Sequence, residues 1–225
     1  MYWRIRISGA RPLHFLTGWP CRVWRLLLWI LWIQSPRGKH AFLRWLAGIF
    51  LLALDLTPLS LIYELFIVVL NSKVRSLNTH EKQQAHAVFG QSIPLHLVTL
   101  NPDSFPVKKK QAIAFVSFYT VNCYGDIPDC MLIHELVHVW QYERHGSAYI
   151  SEALWAQHWG GGYDYGGIEP LKMYSEGKRL GAFNFEQQAD IIEDYFRWKN
   201  GLPLQWALNV PGIGEVLEKY KNQLQ

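Results

Sequence analysis

Before residue 71 the chain is dominated by long apolar runs, and after it apolar positions recur at helical or alternating spacing. The first run, Arg22 to Ile33, is too short to cross a bilayer as a helix. Its long basic lead-in, the lack of a clean small-x-small cleavage site and the polar turn Gln34-Ser35-Pro36-Arg37-Gly38-Lys39 argue against a signal peptide. The second run, Trp45 to Leu70, is interrupted mainly by Asp55, Thr57, Pro58 and Glu64. Its length permits spanning, but each central acid costs about 2.5–3.5 kcal/mol on insertion, and Pro58 kinks a helix. Two readings stand. One is a kinked membrane helix, or a pair of helices lying in the interface. The other is two buried helices of a soluble domain, broken at Thr57-Pro58.

Residues 71–82 are polar and mark a boundary, which predicts a hydrophobic, basic N-terminal region over 1–70 and a globular domain over 71–225. Within that domain, His80 to Val88 has helical character closed by Gly90. Leu95 to Leu100 and Ile113 to Val121 read as strands, with Asn101-Pro102-Asp103 as a turn between them. Helices are expected over about 129–145, 147–159, 185–199 and 214–223, the first three stopped by glycine. The predicted class is α+β, with a small sheet from 93–122 packed against the helix that begins near residue 129.

Charge changes the picture of the N-terminal region. Arg4, Arg6, Arg11, Arg22, Arg25, Arg37, Lys39 and Arg44 fall before the first acid, Asp55. A basic head on an acidic body suggests different surroundings, and its aromatic and aliphatic company favours lipid. The expectation is membrane association, at a bacterial inner membrane, with the cytoplasm as the alternative. For a single span, the excess of basic residues before residue 45 would place the later domain outside the cytoplasm. Lys108-Lys109-Lys110 reads as a solvated loop, and no nucleic acid is expected. Three cysteines, Cys21, Cys123 and Cys130, rule out a disulfide framework; free buried thiols are expected for the last two, with a Cys123–Cys130 pair in an oxidising compartment as the alternative.

The chemistry lies in Cys130-Met131-Leu132-Ile133-His134-Glu135-Leu136-Val137-His138-Val139-Trp140-Gln141, which contains His-Glu-x-x-His at helical periodicity. Residues four apart share a helical face, so His134 and His138 can reach one Zn2+ ion with Glu135 beside the open position. Zinc acidifies water, and the glutamate takes its proton as a carbonyl is attacked. A third ligand must come from elsewhere. Gln141 and Arg144 stand where a metzincin would have Gly and His, so that class is rejected. His145, His158 and Asp164 are weaker candidates than Glu186, in Glu186-Gln187-Gln188-Ala189-Asp190. Thermolysin-like enzymes carry Glu-x-x-x-Asp on a second helix, where the Glu binds zinc and the Asp hydrogen-bonds the first His. Glu186 and Asp190 have that spacing. The competing reading is a solvated acidic face, since Glu193 and Asp194 follow.

Residues 85–196 resemble a group of bacterial zinc peptidase domains of gluzincin type, on three features. These are the His134 to Gln141 helix, the Tyr163-Asp164-Tyr165 loop and the Glu186 to Ala189 segment. The resemblance implies a zincin-like fold, a zinc site and a metallopeptidase acting on peptides or proteins. Such domains occur near secretion-system effector genes, which implies a toxin or processing role. In the glycine-flanked loop, Tyr163 or Tyr165 is a candidate donor to a developing oxyanion, against the alternative of aromatic packing. Trp140 and Gln141 are expected to pack beside and support the ligands. The rival class is a non-catalytic or dormant zincin-like binding or assembly module tethered to a membrane.

Overall fold

The computed structural model describes residues 2–31, 39–104, 114–173 and 179–225. Trp32, Ile33, most of the polar turn after them, Lys108-Lys109-Lys110 and Ile113 lie outside the described residues.

The described residues of the N-terminal region form four helices: α1 (Tyr2–Thr17), α2 (Trp19–Leu31), α3 (Lys39–Leu54) and α4 (Leu59–Leu70). The break at Thr57-Pro58 falls where the sequence placed it. No single described helix is long and apolar enough to cross a membrane, and the pair Ala41–Leu54 and Leu59–Leu70 is bent by 71°. Asp55 and Glu64, the two acids that made spanning costly, are both buried against the rest of the protein. Asp55 accepts from the backbone N–H of Ser147 at 2.6 Å and from its hydroxyl. Glu64 accepts from the Tyr119 N–H at 2.8 Å and lies 3.6 Å from the buried Arg11 guanidinium.

The strands are shorter than expected. The stretch 95–100 is mostly turn, because Leu97 and Val98 bond back to Pro94 and Leu95, and the strand β2 is Thr99–Asn101. The predicted strand 113–121 is instead a hairpin. Strands β3 (Ala114–Ser117) and β4 (Thr120–Cys123) flank a turn in which Phe118 adopts φ 57°. A short strand, β1 (Arg75–Ser76), lies in the stretch taken as a polar boundary. The sheet order is β1-β2-β4-β3, with β2 and β4 parallel and the other pairs antiparallel. Helix α5 (Thr79–Phe89) precedes β2 and starts with a capping box between Asn78 and Glu81.

After the sheet come α6 (Asp129–His145), α7 (Ala148–His158), the short α8 (Ile168–Lys172), α9 (Phe185–Lys199) and α10 (Ile213–Lys221). The class is therefore α+β. Helix α6 is buried continuously from Leu132 to Tyr142, so it is enclosed on every side, with Leu132, Ile133, Leu136, Val137 and Val139 in the core and His134, Glu135, His138 and Gln141 buried among them. Helix α9 is its main partner, and Ile191 and Ile192 are buried in the shared core. Asn184 caps α9 through the Gln187 N–H, and Gln187 bonds back to the Asn184 N–H. This reciprocal cap fixes where the helix begins, and hence the height at which Glu186 meets α6.

Candidate metal and catalytic centre

The pattern on α6 and the pattern on α9 face each other. His134 and His138 lie one turn apart, and each Nε2 is 3.5 Å from the same atom, Glu186 Oε2. That oxygen is buried without a hydrogen-bond partner, and so is Glu135 Oε2. Burying a carboxylate oxygen without a hydrogen bond is costly, and two such atoms in one place, one of them facing two imidazole nitrogens, suit a cation. His134, His138 and Glu186 offer ligand atoms within 4.8 Å of one another, which suits a metal ion. The donor set is two imidazoles and one carboxylate, all buried.

Each of these side chains is oriented from behind. His138 Nδ1 donates to Gln141 Oε1 at 2.8 Å, and Gln141 is itself held by Nε2 donation to Phe185 O and Gln188 Oε1. His134 Nδ1 lies 2.8 Å from Asp190 Oδ1 and 3.3 Å from Glu193 Oε2. These acceptors place the proton on Nδ1 of both rings and turn both Nε2 atoms toward Glu186. Asp190 is anchored in turn by Trp206 Nε1 at 2.7 Å, and Glu193 by Arg197. Gln157 on α7 donates to Glu186 Oε1 at 2.8 Å, which leaves Oε2 free.

The electrostatics follow from crowding. Four carboxylates, Glu135, Glu186, Asp190 and Glu193, surround two imidazoles and one guanidinium. Burial alone would raise the Glu186 carboxyl, but the His138 and His134 rings outweigh it and hold it well below the usual carboxylate range. Burial raises Glu135, with the two imidazoles opposing. Burial also pushes the Tyr163 hydroxyl up to about 12, so it stays protonated at neutral pH.

These groups open on a cleft of about 160 Å³, lined also by Phe115, Val116, Ile150 and Leu154. A larger cavity of about 590 Å³ lies among Trp29, Leu52, His145 and Phe185 and contains none of the converging ligands, so volume does not mark the chemistry here. Tyr163 lines the cleft, its ring 6.2 Å from that of His134. Tyr165 does not. It is buried and donates to Asp194 at 2.6 Å, so its hydroxyl is committed to the core and the candidate oxyanion donor narrows to Tyr163. The weaker ligand candidates are elsewhere. His145 packs on Phe185, His158 on Trp159, and Asp164 Oδ1 accepts from the Gly166 N–H.

Three residues, Glu193, Asp194 and Gln157, escaped the sequence reading. Glu193 and Asp194, which made α9 look like a solvated acidic face, are both buried and bonded. The signal was present, since Glu186, Asp190 and Glu193 stand at i, i+4 and i+7, one helical face. Gln157 is a polar residue following the apolar run Ala153-Leu154-Trp155-Ala156, a weaker hint. A second carboxylate-rich group, His134, Asp190 and Glu193, could also gather a cation. It uses His134 Nδ1, the nitrogen that the carboxylates engage directly.

A type VI secretion system spike protein, VgrG2b of Pseudomonas aeruginosa, is 32% identical to this chain over 142 residues, covering 56% of the chain and 13% of that protein. The chain thus matches a small part of that relative's length. No protein-family profile and no solved structure matches the chain.

Proposed function

We propose that this chain is a zinc-dependent hydrolase of the gluzincin type, with a zincin-like fold, and that it cleaves peptide bonds. The observation that carries the reading is the unpaired, buried Glu186 Oε2 equidistant from His134 Nε2 and His138 Nε2, with the unpaired Glu135 Oε2 in the same cleft. His134, His138 and Glu186 would hold the ion, with Asp190 and Glu193 supporting His134. A bound zinc ion supplies Lewis acidity toward a carbonyl and lowers the pKa of water.

The protein's own groups do the rest. Glu135 takes a proton from water as the oxygen bonds to the peptide carbonyl carbon. Negative charge grows on the carbonyl oxygen, and the Tyr163 hydroxyl is the donor that can swing to meet it. When the C–N bond breaks, Glu135 returns the proton to the departing amine. Strand β3 is an edge strand among the described residues and lines the cleft through Ala114, Phe115 and Val116. An extended peptide can pair along such an edge, which supports peptides over other amides.

A structural metal site would close on four protein ligands and would have no use for a buried, unpaired Glu135, which argues against the non-catalytic alternative. The resemblance implies a toxin or processing role in a secretion context, and the partial relative is itself a secretion spike protein. The test is Glu135→Gln, with zinc measured by atomic absorption and turnover on a peptide library. The variant should keep its zinc and lose about 10²–10⁴-fold in turnover. Loss of zinc, or wild-type turnover, would overturn the assignment.

A further inference from the structure

Polarity in the N-terminal helices is turned inside out. Over residues 7–31 and 41–70, no exposed side chain is charged. The exposed positions include Leu13, Trp24, Leu46, Phe50, Ile62 and Phe66, and the exposed Thr17 hydroxyl is satisfied by Leu13 O. The charges point inward. Arg11 bonds Leu97 O and Thr99 beside Glu64, Arg22 bonds Phe15 O, and Arg25 bonds Glu143 O. Arg44 Nε lies 3.3 Å from Glu152, and Asp55 is spent on Ser147. The basic head expected to meet anionic lipid is, wherever its side chains are described, an internal scaffold.

We infer that the outer face of α1–α4 seats directly in the hydrocarbon of a lipid bilayer, lying in its plane. Charge complementarity decides the occupant. Protein interfaces set an apolar core inside a polar, hydrogen-bonding rim, and over these helices no exposed charged side chain supplies such a rim. A surface in lipid must satisfy its polar groups internally, and its ionisable residues pair with one another inside, as Arg11 and Glu64 do. In-plane seating follows from dimensions. Helix α3 has 16 residues, about 24 Å at the α-helical rise, against a core of about 30 Å, and the bend of 71° breaks the run that follows it. The inference does not depend on the metal site.

The driving force is apolar burial, so binding should need neither anionic lipid nor low salt, which reverses the expectation from the basic head. The full chain should float with pure phosphatidylcholine vesicles equally at about 0.1 M and about 1 M salt. Brominated phosphatidylcholine should quench its tryptophan fluorescence. The paired variants I62E/F66E and L46E/F50E, at exposed positions, should each lower vesicle partition at least about tenfold with circular dichroism and urea unfolding unchanged. Three outcomes would overturn the inference. These are binding confined to anionic vesicles and abolished by salt, a stable dimer that ignores vesicles, and folded variants that partition like wild type. Should both variants misfold, quenching of the wild type decides.

Discussion

Removing the Glu186 carboxylate would leave His134 Nε2 and His138 Nε2 facing a gap, and the proposed zinc ion one protein ligand short. Glu186→Ala should therefore cut zinc affinity steeply, as read by competition with a chelator. Asp190→Asn should cost less, about 10–100-fold in affinity or activity, because Glu193 still faces the same His134 Nδ1. The two tyrosines should separate cleanly. Tyr163→Phe should lower kcat by about 10² with zinc retained. Tyr165→Phe should leave kcat alone and cost about 1 kcal/mol of stability in urea unfolding, since it removes one bond to Asp194. At this scale the His-Glu-x-x-His residues and Glu186 were legible, because helical spacing on two segments states which atoms can converge. The support from Gln157 was not, because it depends on how α7 lies across α9, and no local pattern encodes that crossing.

Elements meet the site through their ends. Helix α7 begins at Ala148 directly after Gly146 and Ser147, and Asp55 from the α3–α4 break clamps that start. A Cβ on Gly146 would lie 2.7 Å from Asp55 Oδ2, and its φ of 63° already favours glycine. Asp55→Ala should cost about 1–3 kcal/mol, by leaving the Ser147 donors unpaired. It should also depress turnover, because α7 carries Ile150, Leu154 and Gln157 into the cleft. Asn184→Ala should cost about 1 kcal/mol by uncapping α9. At the far edge of the sheet, burial alone would raise the Glu81 carboxyl, but Arg75 and the Asn78 N–H outweigh it and hold it below its ordinary 4.5. Its contribution to stability is thus present above that value and lost as pH falls through the lowered one. Glu81→Gln should flatten the acid side of a stability-versus-pH curve. Helix boundaries were readable from glycine stops and caps. The hairpin at Phe118-Tyr119 was not, since Ile113 to Val121 is rich in β-branched and aromatic residues and holds no Gly, Pro, Asn or Asp to signal a turn, while the Tyr119 N–H bond to Glu64 that helps hold it is tertiary.

For the whole molecule, the line between residues 70 and 71 divides the sequence by composition, yet buried polar contacts cross it. Glu64 and Arg11 meet the sheet at Tyr119 and Thr99, and Arg44 meets Glu152 on α7. A fragment beginning at residue 71 should lose these partners and unfold at lower urea than the full chain, or aggregate. Composition hid this because a charge that pairs internally reads the same as one that faces solvent. Helix α7 has one more consequence. Its Ile150 and Leu154 line the cleft and also the hollow against Leu43 and Phe50 of α3, so one helix is wall to both. A shift of α7 driven from either side is felt on the other, and equilibrium coupling of that kind is reciprocal. Vesicles should change the affinity of a cleft-binding peptide inhibitor by some factor, and that inhibitor should change the partition of the protein onto vesicles by the same factor.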